Sequence, residues 1–127
     1  MKTLAIALLA VVFVLSAEAA EKVVVPKQAV AIVNPYPLYP FFALMRGAQG
    51  TGIFVTRIEI KNGRVKEVYI ARSTGHRDLD RATIKALKQW RFKPGALPPI
   101  TKILPHAKDP LAAEDSLVKV PVTFEIR

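Results

Sequence analysis

At 127 residues the chain has room for one domain, and 51% hydrophobic residues exclude a disordered polymer. It has no cysteine and two histidines, which excludes disulfide scaffolds, thiolate zinc sites, cysteine nucleophiles, lipid-modified cysteines and three-histidine metal centres. Against 10 Asp and Glu stand 19 Lys and Arg, a formal net charge of +9 that directs attention to anionic partners.

Residues 1–19 read as a secretory signal peptide. Lys2 supplies a positive start, Leu4 to Leu15 are uninterrupted apolar residues, and Ala17-Glu18-Ala19 fits the small-x-small rule for cleavage after Ala19. As a helix the apolar run rises about 18 Å, short of the roughly 30 Å hydrocarbon core. The alternative is an uncleaved inner-membrane anchor, with Lys2 and Glu18 at the two interfaces of a thinned bilayer. Cleavage removes one cation and one anion, so the net charge stays +9. Export places the expected location in the periplasm and argues against nucleic acid as a partner. Anionic lipid, lipopolysaccharide, cell-wall polymer or an acidic protein face remain as electrostatic partners, against the plainer reading that the charge serves solubility.

Residues 20–38 are rich in Val and Pro and form an extended lead-in, because Pro26, Pro35 and Pro37 forbid a helix. Gln28 to Val33 could add a short strand. Tyr39-Pro40 opens a short helix, Pro40 to Arg46, with proline in the first turn. Gly47, Gly50 and Gly52 then allow a sharp turn. A phosphate loop is disfavoured there, since no Lys-Ser/Thr follows.

Ile53 to Ile60 is the first clear strand, with Phe54, Thr56, Ile58 and Ile60 on one face. Lys61-Asn62-Gly63 turns the chain, and Val65 to Ser73 returns. A two-residue Asn-Gly turn would set Glu67 and Tyr69 beside Ile58 and Thr56. A three-residue loop with a bulge pairs Thr56 with Val68 and Phe54 with Ile70, which gathers more apolar groups on one face and is the expected register.

After a turn at Ser73 to His76, the spacing predicts a helix from Arg77 to Gln89 or Trp90. Leu79, Ala82, Thr83, Ala86, Leu87 and Trp90 form its apolar stripe, and Arg81, Lys85 and Lys88 the opposite, basic face. Asp78 and Asp80 suit the positive dipole end. Pro94-Gly95 stops continuation. Residues 96–116 form a long proline-interrupted loop, which composition marks as a mobile surface excursion rather than a functional loop. Leu117 to Arg127 alternates: Val118, Val120, Val122, Phe124 and Ile126 face one way, Lys119, Pro121, Thr123, Glu125 and Arg127 the other. Pro121 has no N–H, so this strand belongs at an edge. One helix stripe and one sheet face must cover each other. The expected fold is α+β: a two-layer sandwich of a three-stranded antiparallel sheet, one main helix and a short N-terminal helix.

In these pieces, in this order, the sequence resembles the TonB C-terminal domain family, the periplasmic recognition module of an energy transducer. The resemblance is carried by Tyr39-Pro40-x-x-Ala43 with Gly47 and Gly50, by Asn62-Gly63-Arg64-Val65-x-x-Val68-x-Ile70, and by Ser73-Thr74-Gly75 followed by Leu79-Asp80-x-Ala82. It continues through Trp90-Arg91-Phe92-Lys93-Pro94-Gly95 and Val120-Pro121-Val122-Thr123-Phe124. It spans residues 39–127 apart from the loop 96–116. In departure from the family, Gly52 stands where a strand residue is usual, the loop is long, and the transducer's Pro-Lys/Pro-Glu spacer is missing. The resemblance thus implies the recognition module, not the whole transducer.

It also implies a role linked to transmembrane transport, and a site. In the family the last strand pairs with a short extended segment of an outer-membrane receptor, which maps to Val118, Lys119, Val120, Pro121, Val122, Thr123 and Phe124. Physically this is strand addition to an open edge. The competing reading is an edge merely blunted by Pro121 and Lys119. A structural envelope protein whose Arg81/Lys85/Lys88 face binds anionic polymer or membrane is the alternative function, and a homodimer stays among the options. Trp90 belongs to the core rather than to ligand stacking. Tyr36 and Tyr39, set among Pro35, Pro37 and Pro40, fit a rigid lead-in. His76, Asp78 and Asp80 are explained by helix-start chemistry, so no metal or cofactor is expected. His106 and Asp109 lie in the loop without a nucleophile, so no enzyme is expected.

Overall fold

A computed structural model of the protein describes residues 31–126. The signal segment 1–19, its cleavage point, the lead-in up to residue 30 and Arg127 lie outside the described residues. The elements are β1 (Ala31–Val33), α1 (Phe41–Met45), β2 (Gly50–Glu59), β3 (Arg64–Arg72), α2 (Arg77–Leu87), β4 (Arg91–Phe92), α3 (Ile100–Ile103) and β5 (Asp115–Phe124). The strands form one antiparallel sheet in the order β1-β4-β3-β2-β5.

The sheet therefore has five strands, not three. The two additions are three and two residues long. Alternation over so few residues carries no period; pairing creates these strands. Phe92 N–H donates to Gly63 O at 2.9 Å, docking β4 on the β2–β3 turn. Gly63 has φ +74°, and a Cβ there would lie 1.8 Å from Phe92 O. Glycine is required at this turn for both reasons.

The hairpin takes the expected register: Thr56 pairs with Val68 and Phe54 with Ile70, and a bulge falls between Arg57 and Ile58. Gly50 and Gly52 do not form the turn after α1; both stand in β2. The Ser73–Gly75 turn lies against this part of the strand, and a Cβ on Gly50 would come 2.1 Å from Thr74 O. Helix α2 ends at Leu87, because Gln89 N–H and Trp90 N–H bond to Ala86 O and Leu87 O in tighter turns.

One sheet face packs on α2. Phe54, Ile58, Val118, Val120 and Phe92 meet Leu87 and Leu97 there, with Val65, Val68, Ile84 and Trp90 at the margin. At one end Ala43, Ala48, Leu79 and Phe124 join α1, α2 and β5. The loop 96–116 is not a free excursion. It contains α3 and lies over the second face, where Ile100 and Ala112 pack with Val55, Tyr69 and Leu117. Apolar groups facing the second way along the strands, unremarkable in sequence, require this cover.

Candidate functional site: the β5 edge and its surroundings

β5 pairs with β2 over its whole length, from Asp115 opposite Glu59 to Phe124 opposite Gly50. It ends the strand order, so among the described residues no strand lies on its other side. Its inner ties are specific. Thr56 Oγ1 donates to Val118 O at 3.0 Å, and the hydroxyls of Thr51 and Thr123 are 3.0 Å apart. Ile126 N–H donates to Gln49 Oε1 at 2.9 Å, and the Tyr39 ring meets Phe124 edge-on at 5.2 Å.

The strand is not uniform along its length. Asp115 to Val118 are buried, Lys119 and Val122 half-buried, Pro121 and Thr123 exposed. Of the candidate site residues, Val118, Val120 and Phe124 turn their side chains into the cores. Exposed surface concentrates on Lys119 to Thr123, and the loop and second-face core cover the start of the strand.

An ion cluster secures that cover. Arg57 Nε donates to Asp115 Oδ2 at 2.6 Å and its two terminal nitrogens to the Asp109 carboxylate, one at 3.0 Å. Lys66 Nζ adds a contact to Asp115 Oδ2 at 2.8 Å. The Arg57 side chain is 8% exposed and that of Asp115 1% exposed, so these charges interact with little solvent screening. Donating these hydrogen bonds to Asp109 raises the Arg57 pKa, and accepting them holds the Asp109 carboxyl below the usual carboxylate range. Arg57, Asp115 and Lys66 escaped the sequence reading. Their partners lie 49 to 58 residues apart, and each looks locally like an ordinary strand charge.

The helix-start residues are engaged locally. Arg46 makes two hydrogen bonds to Asp78, at 2.7 and 2.8 Å, which bring that carboxyl down to about 2. Asp80 is buried. Burial opposes its charge, but hydrogen bonds from Ser73 and from the Thr74 hydroxyl and N–H outweigh it and keep its pKa low. Asp80 thus organises the 73–75 turn rather than only answering the helix dipole. Among the described residues no three His, Cys, Asp or Glu side chains stand close enough to hold a metal. Trp90 packs beside Phe92 and donates Nε1–H to Pro35 O at 2.9 Å, tying the lead-in to the core. Arg81 and Lys85 are exposed on α2, and Lys88 is exposed at its C-cap. Among the described residues no helix is long and apolar enough to cross a membrane.

Comparison with known proteins gives the family and the likeness of fold. Residues 35–126 match the family described as Gram-negative bacterial TonB protein C-terminal. The chain is 34% identical over 93 residues to Protein tonB2 of Pseudomonas aeruginosa, covering 73% of this chain and 30% of that protein. It is 30% identical over 77 residues to Protein TonB of Vibrio cholerae, covering 61% of this chain and 31% of that protein. The chain therefore spans less than a third of these curated relatives. The solution NMR structure of the Pseudomonas aeruginosa TonB CTD superposes with a TM-score of 0.56 at 22% identity, covering 79% of this chain and 89% of that one, a likeness of fold. The chain belongs to the TonB C-terminal family.

Proposed function

We propose that the protein is a non-catalytic recognition module serving TonB-type transport across the cell envelope. It takes an extended segment of an outer-membrane receptor, or of another envelope protein, as an added strand along β5. The observation that carries this reading is that β5 is a ten-residue strand at the end of the sheet, while the other end is closed by a strand of only three residues. A long edge offers a ladder of donors and acceptors; a short one does not.

The chemistry of Pro121 narrows the docking strip. Pro121 sits opposite Ile53 in an unbroken register. A proline inside a continuous ladder carries its nitrogen on the free side. Alternation then turns the N–H groups of Lys119 and Thr123 the same way, with the carbonyls of residues 119, 121 and 123. Val122 faces β2. A visiting strand would form its bonds to Lys119 and Thr123, with one bond fewer opposite Pro121.

Two proline variants test this. Thr123→Pro removes an outward donor and should weaken binding of a synthetic receptor N-terminal segment about tenfold with little loss of stability. Val122→Pro breaks the ladder to β2 and should unfold at markedly lower denaturant. Amide exchange with the segment bound should slow at Lys119 and Thr123, and binding should tolerate salt. Unchanged affinity of a folded Thr123→Pro protein, with no protection at those amides, would overturn strand addition.

A further inference from the structure

Two features away from β5 remain unexplained by strand addition. The first is a row of cations. Arg77, Arg81, Lys85 and Lys88 fall within about 80° of one another at helical spacing and run about 16 Å from the start of α2 to its C-cap. All four are exposed, and none has an ion pair among the described residues. The two carboxylates on the same helix offer no relief, since Asp78 is taken by Arg46 and Asp80 by Ser73 and Thr74. Like charges at this spacing repel and destabilise the helix. Among the described residues no carboxylate pairs with them, and only the negative end of the helix dipole, at Lys85 and Lys88, offsets the repulsion.

The second feature is an apolar knob. α1 buries only Ala43, against Leu79 of α2, and turns its other apolar side chains outward. Phe41, Phe42 and Met45 are 66, 79 and 70% exposed, and Leu38 just before them 85% exposed. The Arg46–Asp78 bridge fastens this knob to the start of the cationic row. Bulky apolar groups beside a row of unpaired cations are the pattern of a surface that inserts among lipid tails and holds anionic headgroups. A second copy of the chain fits less well, because a two-fold contact would bring the two cationic rows toward each other.

We propose that α1 and the outward face of α2 dock on an anionic lipid bilayer, with Phe41, Phe42 and Met45 entering the headgroup–acyl boundary. This surface is separate from the β5 edge and does not depend on the strand-addition reading. The chain has no cysteine, so a single one can report position. Phe42→Cys and, on the exposed loop, His106→Cys would each carry an environment-sensitive dye on the full chain. The vesicles would be phosphatidylcholine with or without phosphatidylglycerol. The dye at position 42 should blue-shift only on the anionic vesicles, and the dye at 106 should not respond. Adding Arg81→Gln and Lys85→Gln should weaken the response at 42 about thirtyfold, with the circular dichroism spectrum unchanged. The proposal fails if position 42 stays in water or both positions respond alike. It also fails if the shift follows protein concentration without vesicles, or appears with polyglutamate and not with lipid.

Discussion

On the α2 side of the sheet, Phe54, Ile58, Val118 and Val120 meet Leu87, Phe92 and Leu97, a cluster without a charged side chain. On the other side Val55, Tyr69 and Leu117 share the surface with the buried Arg57 and Asp115, and the cover is a loop rather than an 11-residue helix. The first face is held chiefly by apolar area, with the buried Thr56 hydroxyl satisfied by Val118 O. The second is held by a few apolar contacts and an ion cluster centred on Arg57 and Asp115. The first should tolerate conservative repacking. The second should loosen most when Arg57, the member shared by Asp109 and Asp115, is lost.

The largest expected effect lies on the first face. Phe54→Ala empties a fully buried site and should lower stability by about 3–5 kcal/mol, read as a shift of the whole unfolding transition. Arg57→Ala comes next, at about 3 kcal/mol, because it leaves Asp115 charged and buried with Lys66 as its remaining cation. Amide exchange separates the two. Phe54→Ala should speed exchange across sheet and helix together, and Arg57→Ala first at residues 96–116. Equal acceleration everywhere in Arg57→Ala would dissolve the contrast between the faces.

The smallest effect is the pH dependence of the second face. In the folded protein the Asp109 carboxyl lies below its ordinary value of 3.8. A depressed carboxylate contributes stability that is complete above the unfolded value and is lost as pH falls through the folded one. Wild type should therefore lose part of its stability below about pH 4, and Asp109→Asn should show a flatter acid limb. Near neutrality the variant should be weaker by about 1 kcal/mol. Denaturant midpoints from neutral pH downward measure both, and parallel acid limbs in the two proteins would remove Asp109 from the account.

The elements that were legible share one property. In β2–β3, α2 and β5 the apolar residues repeat with a period of two or near 3.6 over nine residues or more. Gathering the apolar groups of Phe54, Ile58 and Val68 on one face was enough to choose the hairpin register, because a slip by one residue would bury Glu67. The same alternation, with Pro121 as the residue that no central strand accommodates, pointed β5 to the rim of the sheet.

What composition and periodicity could not show depends on partners far along the chain. β1 and β4 are too short to have a period, and Gly50 and Gly52 look like turn residues until the Thr74 backbone is seen against them. The loop 96–116 is interrupted by prolines and carries no period, yet Ile100 and Ala112 close the second face. Arg57 finds Asp109 and Asp115 across 52 and 58 residues. Local pattern settles which residues want burial, since that is a property of each short segment. Tertiary structure decides which surfaces meet, because the groups that satisfy one another here come from segments far apart along the chain.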